Sequence, residues 1–247
     1  MKKNSGGKGL AVLMLLFGLA ALALRKKLYL TAVDAKGLLV YNHPMEIALA
    51  ALTAAVLVVI LLAARRMKNA VCFEDCYCAD LPAAFGNVAA GSGILVTVLT
   101  TEGLMGGYLE NIWYLLGLLT PVCLLLAGIA RLWGKKPFFL LHVAVCLFFV
   151  VHIVNHYQLW SSNPQMQDYV FSFLGAMALM FFGFYAAAME VGCGSRRMTV
   201  GMGLAAIYLC MAELARSACP ALYLGGILWV LADLCSMQQP AEEKTEQ

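Results

Sequence analysis

The chain has 247 residues, of which 62% are apolar and 13% are charged, with a formal net charge of +3 at neutral pH. A typical soluble domain is about half apolar and about a quarter charged. The composition therefore excludes a soluble globular enzyme, a disordered chain and a disulfide-stapled secreted module. The small net charge points to no nucleic-acid partner, and the partner that the composition does predict is a lipid bilayer.

Eight apolar runs are each long enough to cross a bilayer core of about 30 Å, which takes roughly 20 helical residues. None shows the strict alternation of a membrane β-strand. Because no water satisfies open backbone groups in lipid, these runs are predicted to be helices. The predicted fold class is all-α, a polytopic bundle of eight transmembrane helices, with one domain over 1–237 and a polar tail at 238–247. The spans are predicted at about 9–24, 45–64, 81–101, 111–131, 137–157, 168–190, 199–217 and 220–237.

Lysine and arginine are concentrated in every second loop. The third and fifth loops contain neither residue, and the seventh contains only Arg216. Cytoplasmic loops retain positive charge, so the even loops and both termini are predicted to be cytoplasmic, in a bacterial-type cytoplasmic membrane. The basic residues of the even loops are Arg65, Arg66, Lys68, Arg131, Lys135, Lys136, Arg196 and Arg197.

The first span has two interpretations. The tripeptide at 21–23 resembles a signal-peptide cleavage site, and its cleavage would leave seven spans. Basic residues directly after the cut, at 25–27, are unusual for a signal peptide, so a retained helix that ends near residue 24 is preferred. The topology of the other seven spans is the same in both cases.

Small residues are concentrated in the third span, where Gly86 with Ala90, and Ala89 with Gly93, are four residues apart. Helices in lipid approach closely through small residues, because lipid tails are as apolar as the side chains. We therefore predict that Gly86, Ala90 and Gly93 pack against neighbouring helices and that the third span lies at the centre of the bundle.

Four polar residues form one stripe along the fifth span at 100° per residue. Polar side chains inside a bilayer face the bundle or a wet cavity, so the stripe predicts an intramembrane polar path. Glu213 in the seventh span lies at a similar depth and could join the path, or could instead pair with Arg216 three residues later. The residues of the stripe are His142, His152, Asn155 and His156.

The fourteen-residue gap between His142 and His156 also raises the possibility of two stacked haems. Two bis-histidine haems would need a second helix with two histidines, and the only other histidine is His43. Bis-histidine haem is therefore not expected.

Three cysteines lie close together in the second loop, at Cys72, Cys76 and Cys78, and Cys193 in the sixth loop lies on the same predicted side. Thiolates bind zinc or iron–sulfur clusters, usually four at a time. The spacing of the three, however, matches no standard signature. A zinc or iron–sulfur site at these cysteines is a minor alternative, and the main prediction is that the protein has no cofactor.

Two acidic residues, Glu190 and Asp233, lie near the inner ends of their helices. Arginine side chains can reach along a helix to such positions, so Arg196 or Arg197 is predicted as their partner.

Three functions remain open. No phosphate-binding loop, nucleophile elbow or zinc-protease motif is present, so an enzyme is not expected. Because intramembrane polar residues are commonly functional, the leading hypothesis is a small-solute or ion/proton-coupled transporter, or the membrane subunit of one. The second is a non-catalytic anchor or assembly subunit, bound to other membrane subunits or a cytoplasmic partner. The third is a cytoplasm-facing metal or thiol sensor at the four cysteines.

Overall fold

The computed structural model of the protein is a bundle of helices. The described residues are 6–32, 43–67, 69–71, 73–77, 81–101, 108–160 and 169–237. Within them the prediction of an all-α fold is confirmed, since no β-strand occurs there. The helices are α1 (Gly6–Thr31), α2 (Pro44–Arg66), α3 (Phe73–Cys76), α4 (Leu81–Thr100), α5 (Tyr108–Leu132), α6 (Leu140–Trp160), α7 (Val170–Val191), α8 (Arg196–Glu213) and α9 (Pro220–Ser236).

Six of these helices, α1, α2, α4, α5, α6 and α7, are long and apolar enough to cross a membrane. The helix α8 has charged residues at both ends, and α9 is apolar but only 17 residues long. Large apolar side chains cover the outside of the bundle; Leu61, Leu99 and Leu115 are each at least 60% exposed. Such a surface favours aggregation in water but is ordinary against lipid tails. The described chain is therefore a largely apolar helical bundle of the kind found in integral membrane proteins.

The most enclosed helix is α8. It packs against α1, α2, α7 and α9, and almost every residue from Thr199 to Glu213 is buried. The helix α4, which corresponds to the third predicted span, lies between α5 and α9. The prediction that this span lies at the centre is therefore corrected, because α8 is surrounded on more sides.

The small residues of α4 bring its backbone against that of α9. A Cβ atom on Gly93 would overlap the carbonyl oxygen of Ala221, and one on Gly86 would overlap a side chain of α9. On the other side of the same contact, a Cβ atom on Gly225 would lie only 3.2 Å from the Cα atom of Ala90. The two helices thus touch through their backbones, which larger residues at these positions would prevent.

The first helix is longer than predicted. It continues past the predicted end near residue 24 to Thr31, because Arg25 turns inward instead of entering a loop. The seventh predicted span, in contrast, ends as a helix at Glu213, and a turn follows it.

Polar contacts fix the loop after α2 to the start of α8. The backbone N–H of Arg196 donates to the carbonyl oxygen of Ala70 over 3.0 Å, and the Ser195 hydroxyl donates to Asn69 Oδ1 over 2.9 Å. Nearby, Tyr77 forms an isolated β-bridge with Met237 after α9. We call this end of the bundle, which has the turns after α2, α5 and α7, the basic end.

The backbone contact between α4 and α9 can be tested with two glycine-to-alanine substitutions. Replacing a glycine inside a helix by alanine stabilises the helix by roughly 0.5–1 kcal/mol. At Gly93, however, the added Cβ atom overpacks the contact with α9, which costs about 1–3 kcal/mol. Gly93→Ala should therefore lower the thermal midpoint in detergent. The control is Gly201→Ala, whose new Cβ atom would lie at an ordinary 3.6 Å from the Cβ of Ala64, so its midpoint should be unchanged or higher. Equal midpoints for the two variants would contradict the packing.

Candidate functional site

Four ionisable side chains from four helices meet inside the basic end, and we call them the ionic cluster: Arg131, His142, Glu190 and Asp233. Each is at most 4% exposed. Arg131 Nη1 lies 3.2 Å from Asp233 Oδ1, and His142 Nδ1 lies 2.8 Å from Glu190 Oε1. The cluster therefore consists of two adjoining pairs, one between α5 and α9 and the other between α6 and α7.

Contacts with α9 hold Arg131 and His142 in the cluster. Arg131 lies in the last turn of α5, where a cation interacts favourably with the helix dipole. Its Nη2 also donates to Ser236 Oγ over 3.0 Å. The ring of His142 is stacked on Trp229, with the centroids 6.0 Å apart. Three residues of α9 thus contact the cluster: Trp229, Asp233 and Ser236.

Sequence reasoning missed this cluster, since Arg131 was counted as a loop residue and Arg196 or Arg197 was expected to pair with the acids. A signal was nevertheless present. Arg131 continues the buried face of α5 at seven-residue spacing from Gly117 and Leu124, which indicates an inward direction. The structure pairs Glu190 and Asp233 with partners that were not predicted.

A cavity of about 340 Å³ opens beside the cluster at the basic end, and we call it the vestibule. The guanidinium carbon of Arg131 lies 4.3 Å from the centroid of the Tyr77 ring. Because both side chains are buried, they form the inner wall of the vestibule. The vestibule is lined by Phe73, Glu74, Tyr77, Arg131, Gly134, Lys135 and Lys136.

Several polar atoms around the cluster have no hydrogen-bond partner among the described residues; they include Glu190 Oε2, Asp233 Oδ2, Arg131 Nε and the Tyr77 hydroxyl. Burial raises the pKa of Tyr77 well above that of a free tyrosine. Asp233 raises this pKa further, and Arg131 partly offsets the rise. The Tyr77 hydroxyl therefore stays protonated at neutral pH and can donate a hydrogen bond.

The predicted polar stripe of α6 is divided into two parts. His152 and His156 lie together near the far end, with ring centroids 4.0 Å apart, whereas His142 belongs to the ionic cluster about 15 Å away along the helix. The side chains of Val145 and Phe148 fill the space between them and are fully buried. The described residues on this face therefore do not form a continuous polar path.

The second part of the stripe has defined hydrogen bonds. The indole N–H of Trp113 donates to His152 Nδ1 over 3.2 Å, so this nitrogen has no proton and the His152 ring is neutral. His156 Nδ1 lies 3.0 Å from the carbonyl oxygen of His152. Because a carbonyl oxygen can only accept, His156 Nδ1 is the donor in this hydrogen bond. His156 Nε2 faces Cys219 Sγ at 4.0 Å. Asn155 is buried in the same region, and its Oδ1 has no partner among the residues described.

Glu213 has a partner that was not predicted. Its carboxylate pairs with Arg25 of α1 at 2.5 Å and accepts a short hydrogen bond from the Ser172 hydroxyl. Arg216 lies over the ring of Tyr29, 4.7 Å from its centroid. The two predicted alternatives, a pair with Arg216 or a place in the histidine stripe, are therefore both replaced by a buried pair between α1 and α8.

The structure leaves the predicted cysteine site untested. Cys72 and Cys78 lie outside the described residues, while Cys76 is buried and Cys193 is exposed. The described part of the chain contains no group of three or more histidine, cysteine or acidic side chains arranged to hold a metal ion. A metal at these cysteines stays the minor alternative that the sequence leaves open.

Comparison of the chain with protein-family models, with curated proteins and with solved structures gives no match. Function is therefore inferred from the residues themselves.

The pair between Arg131 and Asp233 can be tested by a double-mutant cycle. Removing one partner of a buried ion pair leaves an uncompensated charge and costs about 3–5 kcal/mol. Arg131→Leu and Asp233→Leu should each lower the free energy of unfolding by about that amount, and the double variant should lose less than their sum. The exposed control Arg66→Gln should change stability by less than about 0.5 kcal/mol. Additive losses would contradict direct pairing.

The hydrogen bond from Trp113 predicts one tautomer of His152. In solid-state ¹⁵N spectra of histidine-labelled protein in bilayers, the Nδ1 of His152 should show the shift of an unprotonated nitrogen near neutral pH. In Trp113→Phe the donor is absent, so this resonance should move while that of His142 stays in place. A wild-type spectrum in which both ring nitrogens of His152 are protonated would contradict the assignment.

Proposed function

We propose that the protein is a proton-coupled transporter of small solutes, or the membrane subunit of one, and that the ionic cluster is its proton-exchange site. In this proposal the six long apolar helices cross the membrane together with α8 and α9, and the basic end faces the cytoplasm. The observation that supports it best is the position of four buried ionisable side chains from four helices directly beside a polar vestibule. Ionisable residues at membrane depth commonly mark proton and substrate pathways.

The charges of the cluster support proton exchange over a purely structural role. Arg131 is the one permanent cation of the four side chains and pairs with Asp233, whereas Glu190 pairs with His142. With His142 neutral the cluster is negative overall, whereas one added proton makes it neutral. A net charge is costly in an apolar interior, and histidine changes charge near neutral pH. Uptake and release of a proton would therefore change the forces between α6 and α7.

Access to the cluster is unequal on its two sides. The vestibule reaches Arg131 from the basic end. Toward the other end of α6, buried apolar side chains such as Val145 and Phe148 follow His142. A site open to one side and closed to the other is what alternating access requires of each of its states.

The experiment measures charge movement in proteoliposomes on a solid-supported membrane, after a pH step of about one unit around neutrality. Wild-type protein should give a transient current, because protons bind within the membrane. In Glu190→Gln the current should fall to the level of empty liposomes, since His142 loses its ionisable partner. The control is Glu74→Gln, which removes an exposed carboxylate at the vestibule and should keep the wild-type current.

A folded wild-type protein without current, or a Glu190→Gln variant with the full current, would contradict the proposal. Affinity purification from native membranes then separates the remaining possibilities. A stoichiometric partner in a preparation without current would assign the chain to the anchor or assembly class.

A further inference from the structure

The vestibule has more positive than negative side chains. Among its described lining residues, Lys135 and Lys136 are exposed cations and Arg131 is a buried one, while Glu74 is the single carboxylate. Asp233 lies behind Arg131 and neutralises part of its charge. The two lysines therefore leave the vestibule suited to an anion.

Two buried donors at the inner wall lack an acceptor. The Tyr77 hydroxyl and the Arg131 Nε group have no hydrogen-bond partner among the residues that the structure describes. Both side chains are more than nine-tenths buried and both line the vestibule. Buried donors are nearly always satisfied in folded proteins, so two unpaired donors on side chains that line the vestibule favour an acceptor bound there.

We propose that the vestibule binds a phosphate-bearing anion, with its oxygens toward Tyr77 and Arg131 and its charge facing the two lysines. A phosphate offers several acceptor oxygens, which matches a guanidinium and a hydroxyl at one end and two ammonium groups at the other. The inference concerns binding alone and does not depend on proton exchange.

The position of the vestibule fits the depth of a lipid headgroup. Trp133 and Phe138, which flank the turn after α5, are 72% and 61% exposed, and such aromatic residues anchor at the membrane interface. Gly134 has a φ of 67°, a left-handed conformation that favours glycine, and it directs the chain back so that both lysines border the cavity. Basic pockets at this depth bind anionic headgroups, and free phosphate offers the same chemistry.

The experiment uses delipidated full-length protein in a neutral detergent with two probes, inorganic phosphate and phosphatidylglycerol. Saturable binding is measured by the thermal midpoint and by native mass spectrometry. Lys135→Gln/Lys136→Gln should weaken binding about twenty-fivefold, since each cation near a headgroup contributes roughly a factor of five. Tyr77→Phe, which removes one hydroxyl and keeps the ring, should weaken it about threefold to tenfold.

The matched control is Arg65→Gln/Arg66→Gln, which removes two exposed charges from the end of α2 near the same face but outside the vestibule. It should bind as the wild type does. Binding of phosphatidylglycerol alone identifies a lipid as the ligand, and binding of inorganic phosphate as well identifies a free phosphate. The proposal is overturned if neither probe binds saturably, if the lysine variant binds like the control, or if Tyr77→Phe binds like the wild type.

Discussion

The structure depends on the cost of a charge in an apolar interior. A charged side chain inside a bundle is tolerated when it is paired, and in each pair described below the partner comes from another helix. Each pair therefore acts as a bond between helices whose apolar surfaces alone would pack with little preference in lipid. Three such buried pairs occur among the described residues: Arg25 with Glu213 between α1 and α8, Arg131 with Asp233 between α5 and α9, and His142 with Glu190 between α6 and α7.

The pairs at the two ends of the bundle differ in how completely they are satisfied. At the far end Glu213 receives both a guanidinium and the Ser172 hydroxyl, so its charge is compensated. At the basic end Glu190 is paired with a histidine and not with a permanent cation, and Glu190 and Asp233 each keep an oxygen without a hydrogen-bond partner in the described part of the chain. With His142 neutral, the cluster therefore has one more negative charge than positive charges. This difference is the reason for proposing proton exchange at the basic end and not at the far end.

Hydropathy predicts the helices because a span needs about 20 apolar residues whatever its neighbours are. It does not predict partners, because these depend on how each helix is rotated in the bundle. Arg25 illustrates the limit: its charge indicated a helix end, yet its pair with Glu213 lets α1 continue to Thr31. His142 illustrates a second limit. Helical periodicity places it on the same face as His152, but it does not show that buried apolar side chains lie between them.

Arg131 belongs to both the ionic cluster and the vestibule, and this links the two proposals. Its guanidinium contacts Asp233 on one side and borders the cavity on the other. An anion in the vestibule would compete with Asp233 for this one cation, and the carboxylate, less compensated, would bind a proton more readily. Linkage makes the effect reciprocal, so a proton on Asp233 would strengthen the binding of the anion. If both proposals hold, one shared arginine would couple an anion and a proton without a continuous polar path through the bundle.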